Sequence, residues 1–249
     1  MKTSNLLLLI AFLVIVILSA VGIYVIKTNL EKIVPQQDEM FSTQKELLPF
    51  GQIEVEGTLT IEFVQDTLYQ LTVEADSAIQ EEIQVSVLDD VISIKLEHRT
   101  SKGVQCQLRG PVFSRVSVSA GSIFRSSDTL SAPALDLKAN AGGIIILKGR
   151  FNVVNAELNA GSTLKMEGEG DSMDITANAG SKVKMKNYST QNASVSAGSG
   201  SVMDINSALI EASVSSGAVV HYNEDGLLKR VNTSSGGSMK AYNVKLKND

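Results

Sequence analysis

The sequence predicts an all-β fold, a single-stranded parallel β-helix (solenoid) of about seven rungs of ~19 residues each. Three observations lead to this prediction. A short tripeptide that ends in glycine recurs at a nearly constant interval. The residues on both sides of each glycine alternate between apolar and polar, as they do in half-buried strands. The segments between successive strands are too short for the helical crossovers of a βαβ sheet.

The composition fits stacked strands and narrows the possible partners. Of the 249 residues 43% are hydrophobic, with 19 glycines, 4 prolines and no tryptophan, which suits narrow layers of strands. A net charge of −5 and a pI near 5.2 give no basic footprint, so nucleic acid is not an expected partner. The single cysteine, Cys106, excludes an intrachain disulfide. It lies between Val104 and Leu108 in an alternating pattern, which predicts an inward-facing small hydrophobe rather than a reactive thiol.

The N-terminus carries an apolar run, from Leu6 to Ile26, that has no charge in 21 residues. At ~1.5 Å per residue this is long enough to cross a ~30 Å hydrocarbon core, so residues 1–26 are predicted as a transmembrane helix with the lipid bilayer as partner of residues 6–26. A cleaved signal peptide is the alternative, because Ser19 and Ala20 are a small pair, but the run continues beyond a usual signal. We expect a cell-envelope protein whose C-terminal domain lies outside the cytoplasm, periplasmic or on the surface.

Residues 27–49 are polar and are predicted to form a stalk or linker. Thr43 to Leu48 has a short helical pattern that Pro49 ends. A solvated spacer is expected here, and a partner-binding amphipathic helix is the alternative.

Residues 50–112 form a β-rich lead-in to the repeats, because the hydrophobic period changes to two. The alternating apolar pairs and triplets are Ile53/Val55, Leu59/Ile61/Phe63, Leu71/Val73/Ala75, Ile83/Val85/Val87 and Ile92/Ile94/Leu96. Asp89 and Asp90 lie between the last two of these predicted strands. A two-residue hairpin loop is predicted there rather than a carboxylate pair for acid-base or metal chemistry.

Residues 113–249 contain the repeat, and together with the lead-in they make a predicted head domain over 50–249. The tripeptides are Ser119-Ala120-Gly121, Asn140-Ala141-Gly142, Asn159-Ala160-Gly161, Asn178-Ala179-Gly180, Ser196-Ala197-Gly198, Ser215-Ser216-Gly217 and Ser234-Ser235-Gly236. Their glycines are 21, 19, 19, 18, 19 and 19 residues apart. So regular a spacing is typical of solenoids, in which each glycine occupies a corner at positive φ.

Alignment on the glycines predicts which residues face inward. Residues five, three and one before each glycine are mostly apolar, as in Leu137, Ala139 and Ala141, and form one inward face. Residues three and five after it, such as Ile145 and Leu147, form a second. The rung after Gly198 departs from this phase, and Gly200 indicates a bulge or a one-residue slip there.

A stripe of short polar side chains faces outward two residues before each glycine. This candidate interaction stripe consists of Ser119, Asn140, Asn159, Asn178, Ser196, Ser215 and Ser234. It could bind a glycan or another repeating surface through hydrogen bonds. The alternative is a solvated face, in which Asn and Ser ladders bond along the stack and stabilise the corners.

No catalytic, cofactor or metal site is predicted, and an enzyme is not expected. His98 and His221 are isolated and are predicted at the surface. A polysaccharide lyase or hydrolase would need clustered carboxylates on an outer face. The best row lies six before the glycines and comprises Asp136, Asp174 and Glu211, interrupted by Asn155 and Asn192. No aromatic platform for a sugar accompanies it.

The order of several short motifs resembles one known family. The motifs are Phe50-Gly51-Gln52-Ile53-Glu54-Val55, Leu71-Thr72-Val73-Glu74-Ala75 and Ile92-Ser93-Ile94, followed by tandem Ala-Gly-Ser or Ser-Gly-Ala units. In the order of these motifs, over about residues 46 to 245, the chain is similar to the family of putative autotransporter adhesin head GIN domains of bacterial exported proteins. The resemblance implies an exported β-helix-like domain with an adhesive role, and offers no catalytic or ligand residues to carry over.

These observations favour a membrane-anchored, exported β-helix that acts as an adhesion or interaction module and binds a glycan or an envelope protein. A structural envelope scaffold whose protein partner docks on the stalk or on an end of the rod is the alternative.

Overall fold

The computed structural model describes residues 41–97 and 103–243. The predicted transmembrane segment, the first part of the predicted stalk and His98 lie outside these residues. Within the two described ranges, no helix has both the length and the apolar character that a membrane crossing requires.

The end of the predicted stalk and the lead-in fold into short strands and one short helix. The stalk residues form β1 Phe41–Glu46, and the elements of the lead-in are β2 Gln52–Glu56, β3 Leu59–Gln65, β4 Gln70–Ala75, α1 Ser77–Glu82, β5 Ile83–Leu88, β6 Val91–Leu96 and β7 Val104–Gly110. The predicted alternation is confirmed, since Ile53, Ile61 and Leu71 are fully buried. The Asp89-Asp90 hairpin is confirmed as well, with both residues at positive φ between antiparallel β5 and β6.

One part of the predicted stalk and one part of the lead-in differ from the sequence prediction. The helical pattern predicted from Thr43 to Leu48 is wrong, because β1 is a strand that pairs antiparallel with β4. Helix α1 was not predicted. It begins after Asp76, whose side chain accepts a hydrogen bond of 2.9 Å from the backbone N–H of Ile79 and so caps the first turn.

The repeats form the parallel solenoid that the sequence predicts. Their strands are β8 Arg115–Ser119, β9 Ile123–Ala139, β10 Ile144–Leu158, β11 Thr163–Glu169, β12 Ser172–Ala177, β13 Lys182–Ala197, β14 Val202–Val214, β15 Val219–Asn223, β16 Leu227–Thr233 and β17 Ser238–Tyr242. Segments that lead into the glycine corners stack as one sheet, here called the pre-corner face. Segments that lead away from the corners stack as the post-corner face. In the middle rungs the long strands continue between these faces and form a third side.

The lead-in is part of the same stack. Strand β2 lies between β6 and β8 on the pre-corner face, parallel to both. Strand β3 lies in the same way between β7 and β9 on the post-corner face. The lead-in therefore adds two layers to the seven turns that the repeat marks. Beyond them, β5 and β4 run antiparallel to β6 and β7 and close this end of the stack.

Each corner is a two-residue turn with both residues in the left-handed region. At the first corner, Ala120 has φ 55° and Gly121 has φ 81°. The carbonyl of Ser119 accepts the closing hydrogen bond from the N–H of Ser122 at 3.1 Å. The prediction that the residue before the glycine faces inward is therefore wrong at this corner and at its counterparts, except at Ala197, which is buried. A left-handed residue ends the strand alternation and leaves its side chain partly or fully exposed, as at Ala141.

The fifth corner lies two residues later than its tripeptide. Ser199 (φ 49°) and Gly200 (φ 69°) make the turn, while Ala197 is a buried strand residue. With Gly200 as reference, Met203 and Ile205 occupy the expected inward positions and are fully buried. The irregularity predicted here is thus present as a two-residue displacement of the corner.

A column of small residues lies just inside the corners, which the alignment did not identify. It follows the corner glycines and contains the buried residues Ser122, Gly143, Ser162, Ser181, Ser201 and Ala218 and the half-buried Gly237. Ser201 shows why hydroxyls are tolerated, since its Oγ donates to the carbonyl of Ala177 at 2.9 Å. A Cβ on Gly237 would lie 2.2 Å from the carbonyl oxygen of Val214, so the column has no room for large side chains.

The third side packs two large aromatic rings against glycine backbone. Tyr188 and Phe151 are almost completely buried, and the Tyr188 hydroxyl donates to the carbonyl of Phe151 at 2.9 Å. Gly149 and Gly168 are register partners on neighbouring strands, and Gly168 pairs in turn with Tyr188. A Cβ on Gly168 would lie 1.9 Å from the carbonyl oxygen of Gly149, so these backbones approach more closely than any side chain would permit.

Cys106 occupies the inward position that the sequence predicts. It is 2% exposed and lies opposite Ile61 on β3 and Val73 on β4. Burial raises the pKa of its thiol to about 12, so the thiol is protonated at neutral pH. The prediction of a core residue rather than a reactive thiol is confirmed.

Candidate functional site

The predicted interaction stripe lies along the corners, where six of its seven members share one row. These six are the first residues of their turns: Ser119, Asn140, Asn159, Asn178, Ser215 and Ser234. Ser196 is in a neighbouring row, opposite Thr176 and Ser213, because of the displaced fifth corner. Gly198 occupies the position of Ser196 in the row. The N–H of Gly198 donates to the carbonyl of Ala177 on the neighbouring strand, and other members of the row make the equivalent bond.

The stripe side chains do not form the ladder considered above. Within the described part of the chain, none of the seven side chains donates or accepts a hydrogen bond with another residue, and their backbone groups alone stabilise the corners. At Gly198 a Cβ would lie 2.6 Å from the Asn178 Oδ1, so the missing side chain leaves space for that amide. The stripe is thus a polar edge with unengaged side chains and one gap. Its role in binding stays a prediction.

A groove on the outer surface of the pre-corner face was not identified from the sequence. It consists of two adjoining depressions of about 470 Å³ and about 290 Å³ that share Asn155 and Asp174 in their walls. Register partners on successive strands line it, in a set that we call the polar row. The row comprises Asp136, Asn155, Asp174, Ser194 and Glu211.

The polar row contains the three carboxylates that the sequence singles out. Asn155 separates Asp136 from Asp174, as predicted. Ser194, and not Asn192, separates Asp174 from Glu211, because the two-residue displacement of the corner moves the alignment of that rung. Asn192 lies one row away, opposite Ser172.

The two end carboxylates of the row are held in ion pairs with neighbouring cations. Asp136 accepts a hydrogen bond from Asn155 Nδ2 at 2.9 Å and pairs with Arg115 at 3.3 Å. These contacts, that of Asn155 first, lower the pKa of Asp136. Glu211 pairs with Lys229 at 2.8 Å, and this hydrogen bond lowers the pKa of Glu211. Both groups are therefore ionised at neutral pH and act as acceptors rather than proton donors.

Asp174, at the centre of the row, has no such neighbour. It is exposed and makes no hydrogen bond or ion pair with any residue in the described ranges. Apolar groups lie beside it, since Val153 and Leu209 line the smaller depression and are each 38% exposed. The centre of the groove thus combines a free carboxylate, amide and hydroxyl groups, and two aliphatic surfaces.

The remaining candidates for chemistry have structural roles. His221 lies at the surface of the post-corner face as predicted, with Nδ1 2.8 Å from Asp204 Oδ1. Asp89 and Asp90 form the hairpin, and the Asp90 carbonyl accepts hydrogen bonds from the N–H groups of Gly51 and Gln52. Within 41–97 and 103–243, no three His, Cys, Asp or Glu side chains are arranged to hold a metal ion.

Comparison with known proteins agrees with the fold. Three solved structures superpose on most of the chain. A putative adhesin from Bacteroides fragilis has a TM-score of 0.73 at 15% identity, with 84% of this chain and 98% of that one covered. A putative adhesin from Parabacteroides merdae gives 0.70 at 11%, covering 83% and 97%. A putative lipid binding protein from Parabacteroides distasonis gives 0.68 at 11%, covering 83% and 98%. At these identities the similarity concerns the fold alone.

Sequence comparison identifies the family. No curated protein matches the chain. The sequence model described as "Putative auto-transporter adhesin, head GIN domain" matches residues 49–226, which is most of the predicted head domain. With the solenoid, the glycine corners and the family motifs in the predicted order, the chain belongs to this adhesin head GIN domain family.

Proposed function

We propose that the protein is an adhesion module of the cell envelope that binds a neutral, polyhydroxylated chain such as a glycan in the groove of the pre-corner face. One observation carries this proposal: the free Asp174 carboxylate at the junction of the two depressions, between Asn155 and Ser194. A carboxylate accepts two hydrogen bonds, while amide and hydroxyl groups both donate and accept. This combination suits vicinal sugar hydroxyls.

The walls of the groove support a sugar rather than a charged ligand. Val153 and Leu209 offer aliphatic contact to the C–H faces of a pyranose, in place of the aromatic platform that the chain lacks there. The carboxylates of the polar row disfavour polyanions. Rungs repeat at ~4.8 Å, so equivalent groups recur along the groove and suit a polymer that lies across several strands.

Replacement of Asp174 by Asn is expected to weaken glycan binding by roughly tenfold or more, since charge-assisted hydrogen bonds contribute ~1.5–3 kcal/mol. The full-length protein is tested on an array of neutral gluco-, manno- and galacto-configured oligosaccharides. Asp225→Asn, an exposed carboxylate outside the groove, is the matched control and should bind as wild type does. Uniform absence of binding by wild type, or equal binding by Asp174→Asn, would contradict the proposal.

A structural scaffold is the second candidate, and the open end of the rod favours it. Strand β16 is exposed throughout and, among the strands of the described residues, pairs only with β14. Leu227 on this edge is 63% exposed, and such an edge can pair with a strand of another protein. If Leu227→Lys ends capture of an envelope protein while Asp174→Asn does not, the scaffold is the better account.

Anchoring and export belong to the same proposal. Residues 6–26 would hold the protein in the bilayer, with the head domain outside the cytoplasm, as membership of an adhesin family favours. We expect protease added to cells to digest residues 50–249, at the latest once the outer envelope is opened, while a cytoplasmic protein stays protected. A head domain that resists digestion in opened cells and is digested only after lysis would overturn this placement.

A further inference from the structure

The post-corner face carries a group of lysines that the proposed groove does not use. This lysine cluster comprises Lys148 on β10, Lys165 on β11, and Lys182, Lys184 and Lys186 on β13. These strands are consecutive in the stack, and all five side chains are exposed. A positive patch of this size contrasts with the net charge of −5 of the whole chain.

The strand pattern holds the lysines together on one surface. On β13, Lys182, Lys184 and Lys186 alternate with buried Val183 and Met185, so the three ammonium groups point outward at intervals of ~6.6 Å. Lys165 and Lys184 are direct register partners on neighbouring strands. Like charges placed opposite each other destabilise a sheet. An external anion would reduce the repulsion between these two lysines.

Neighbouring groups compensate only part of this charge. Lys165 is paired with Glu167 at 2.8 Å. Asp204, the register partner of Lys184 on the next strand, has its Oδ1 2.8 Å from Nδ1 of His221. Lys186 lies over the ring of Tyr242, with Nζ 4.2 Å from its centroid.

Three lysines of the cluster have no ion-pair partner among the described residues. Lys148, Lys182 and Lys184 form no ion pair within 4.0 Å with any carboxylate of the described ranges. Lys182 and Lys184 lie on β13 and Lys148 lies on β10, with β11 between them. The cluster therefore presents three lysines without an ion pair across three neighbouring strands.

We propose that the lysine cluster is a second binding site, for an acidic polysaccharide such as a polyuronate. A charged polymer suits the arrangement because the lysines recur in two directions across a flat sheet. A lipid surface suits it less, since none of the large apolar side chains that the described residues expose lies on the strand segments bearing the cluster. Nucleic acid suits it less as well, because the chain as a whole is acidic and repels a highly charged duplex at long range.

The test measures binding of polygalacturonate to the full-length protein, with fully methyl-esterified polygalacturonate as the uncharged polymer of the same backbone. Wild type should bind only the free acid, and the affinity should fall as salt rises. Lys182→Gln combined with Lys184→Gln should weaken binding by roughly tenfold or more. The matched pair Lys45→Gln and Lys95→Gln, which removes the same charge elsewhere, should leave binding unchanged, and so should Asp174→Asn.

Several results would overturn the proposal. Equal binding of the free acid and its methyl ester would exclude charge recognition. Equal losses in the two double variants would mean that net charge alone governs binding. Binding to phosphatidylglycerol vesicles or duplex DNA that depends on Lys182 and Lys184, without binding to polygalacturonate, would assign the cluster to a different ligand. Because Asp174→Asn leaves the cluster intact, failure of the groove and failure of this site are distinguishable.

Discussion

Gly168→Ala is expected to destabilise the fold by about 4 kcal/mol, the sum of a strained backbone and an overpacked contact. Gly168 has φ 128°, where L side chains are strained, and its added Cβ would lie 1.9 Å from the carbonyl oxygen of Gly149. That oxygen belongs to backbone on the neighbouring strand and cannot move without breaking the register of the third side. Urea unfolding followed by circular dichroism measures the loss.

Gly161→Ala is the matched control for this variant. Gly161 also has a positive φ, 72°, but a Cβ there meets nothing within 4 Å. Only the cost of the left-handed conformation remains, about 1–2 kcal/mol. If the two variants lose the same stability, the close approach of the strands at Gly168 contributes nothing and the explanation is wrong.

Tyr188→Ala is expected to cost about 3–5 kcal/mol, because it empties the largest fully buried side-chain volume of the described residues. The ring fills the third side opposite Gly168, which has no side chain to occupy the space. Tyr188→Phe keeps the ring and removes only the hydrogen bond to the Phe151 carbonyl, so its loss should be about 1 kcal/mol. Similar losses for the two variants would show that the ring is not the stabilising group.

Wild type and Tyr188→Phe are also expected to differ in how their free energy of unfolding, measured by urea unfolding, changes at alkaline pH. Burial raises the pKa of Tyr188 to about 12, from about 10 in the unfolded chain. The folded state therefore retains this proton longer, and the resulting stability is complete below pH 10 and is lost as the pH rises through about 12. Tyr188→Phe lacks this group and should lose less stability across that interval. Tyr242 and Cys106 titrate in the same range but are present in both proteins, so they cancel in the comparison.

The fold was predictable from sequence wherever the type of a residue alone indicates its position, as apolar residues indicate burial and glycines indicate corners. Alternation identified the inward sides of β2 to β6, and six of the seven repeat glycines located a corner. The order of the layers was not predictable, because β2 pairs with strands far along the chain and alternation does not specify the partner. The displaced corner at Ser199 and Gly200 was ambiguous for a similar reason, since Gly198 offered an equally good tripeptide.

The surface sites were less predictable than the core. The stripe was found because its residues repeat with the corners, whereas the groove depends on concavity and on which polar groups already have partners. Asp136 and Asp174 are equivalent in the sequence, yet only Asp136 has a neighbouring guanidinium. The negative net charge of the chain gave no indication of the lysine cluster. The alternation of Lys182, Lys184 and Lys186 along one strand could have identified it.

The position of β2 and β3 inside the stack also affects how the chain reaches its fold. The layer that is made first, as the chain emerges from its N-terminus, is completed only when residues 91–95 and 115–119 have arrived to flank it. The layers inside the rod are therefore flanked on both sides by strands made later, so the order of the layers differs from the order of the sequence. Such distant pairing slows folding, and a nascent chain that stops before β8 carries an open strand edge that invites aggregation. For the proposed exported head, this pairing would delay completion of the early layers until most of the domain has followed.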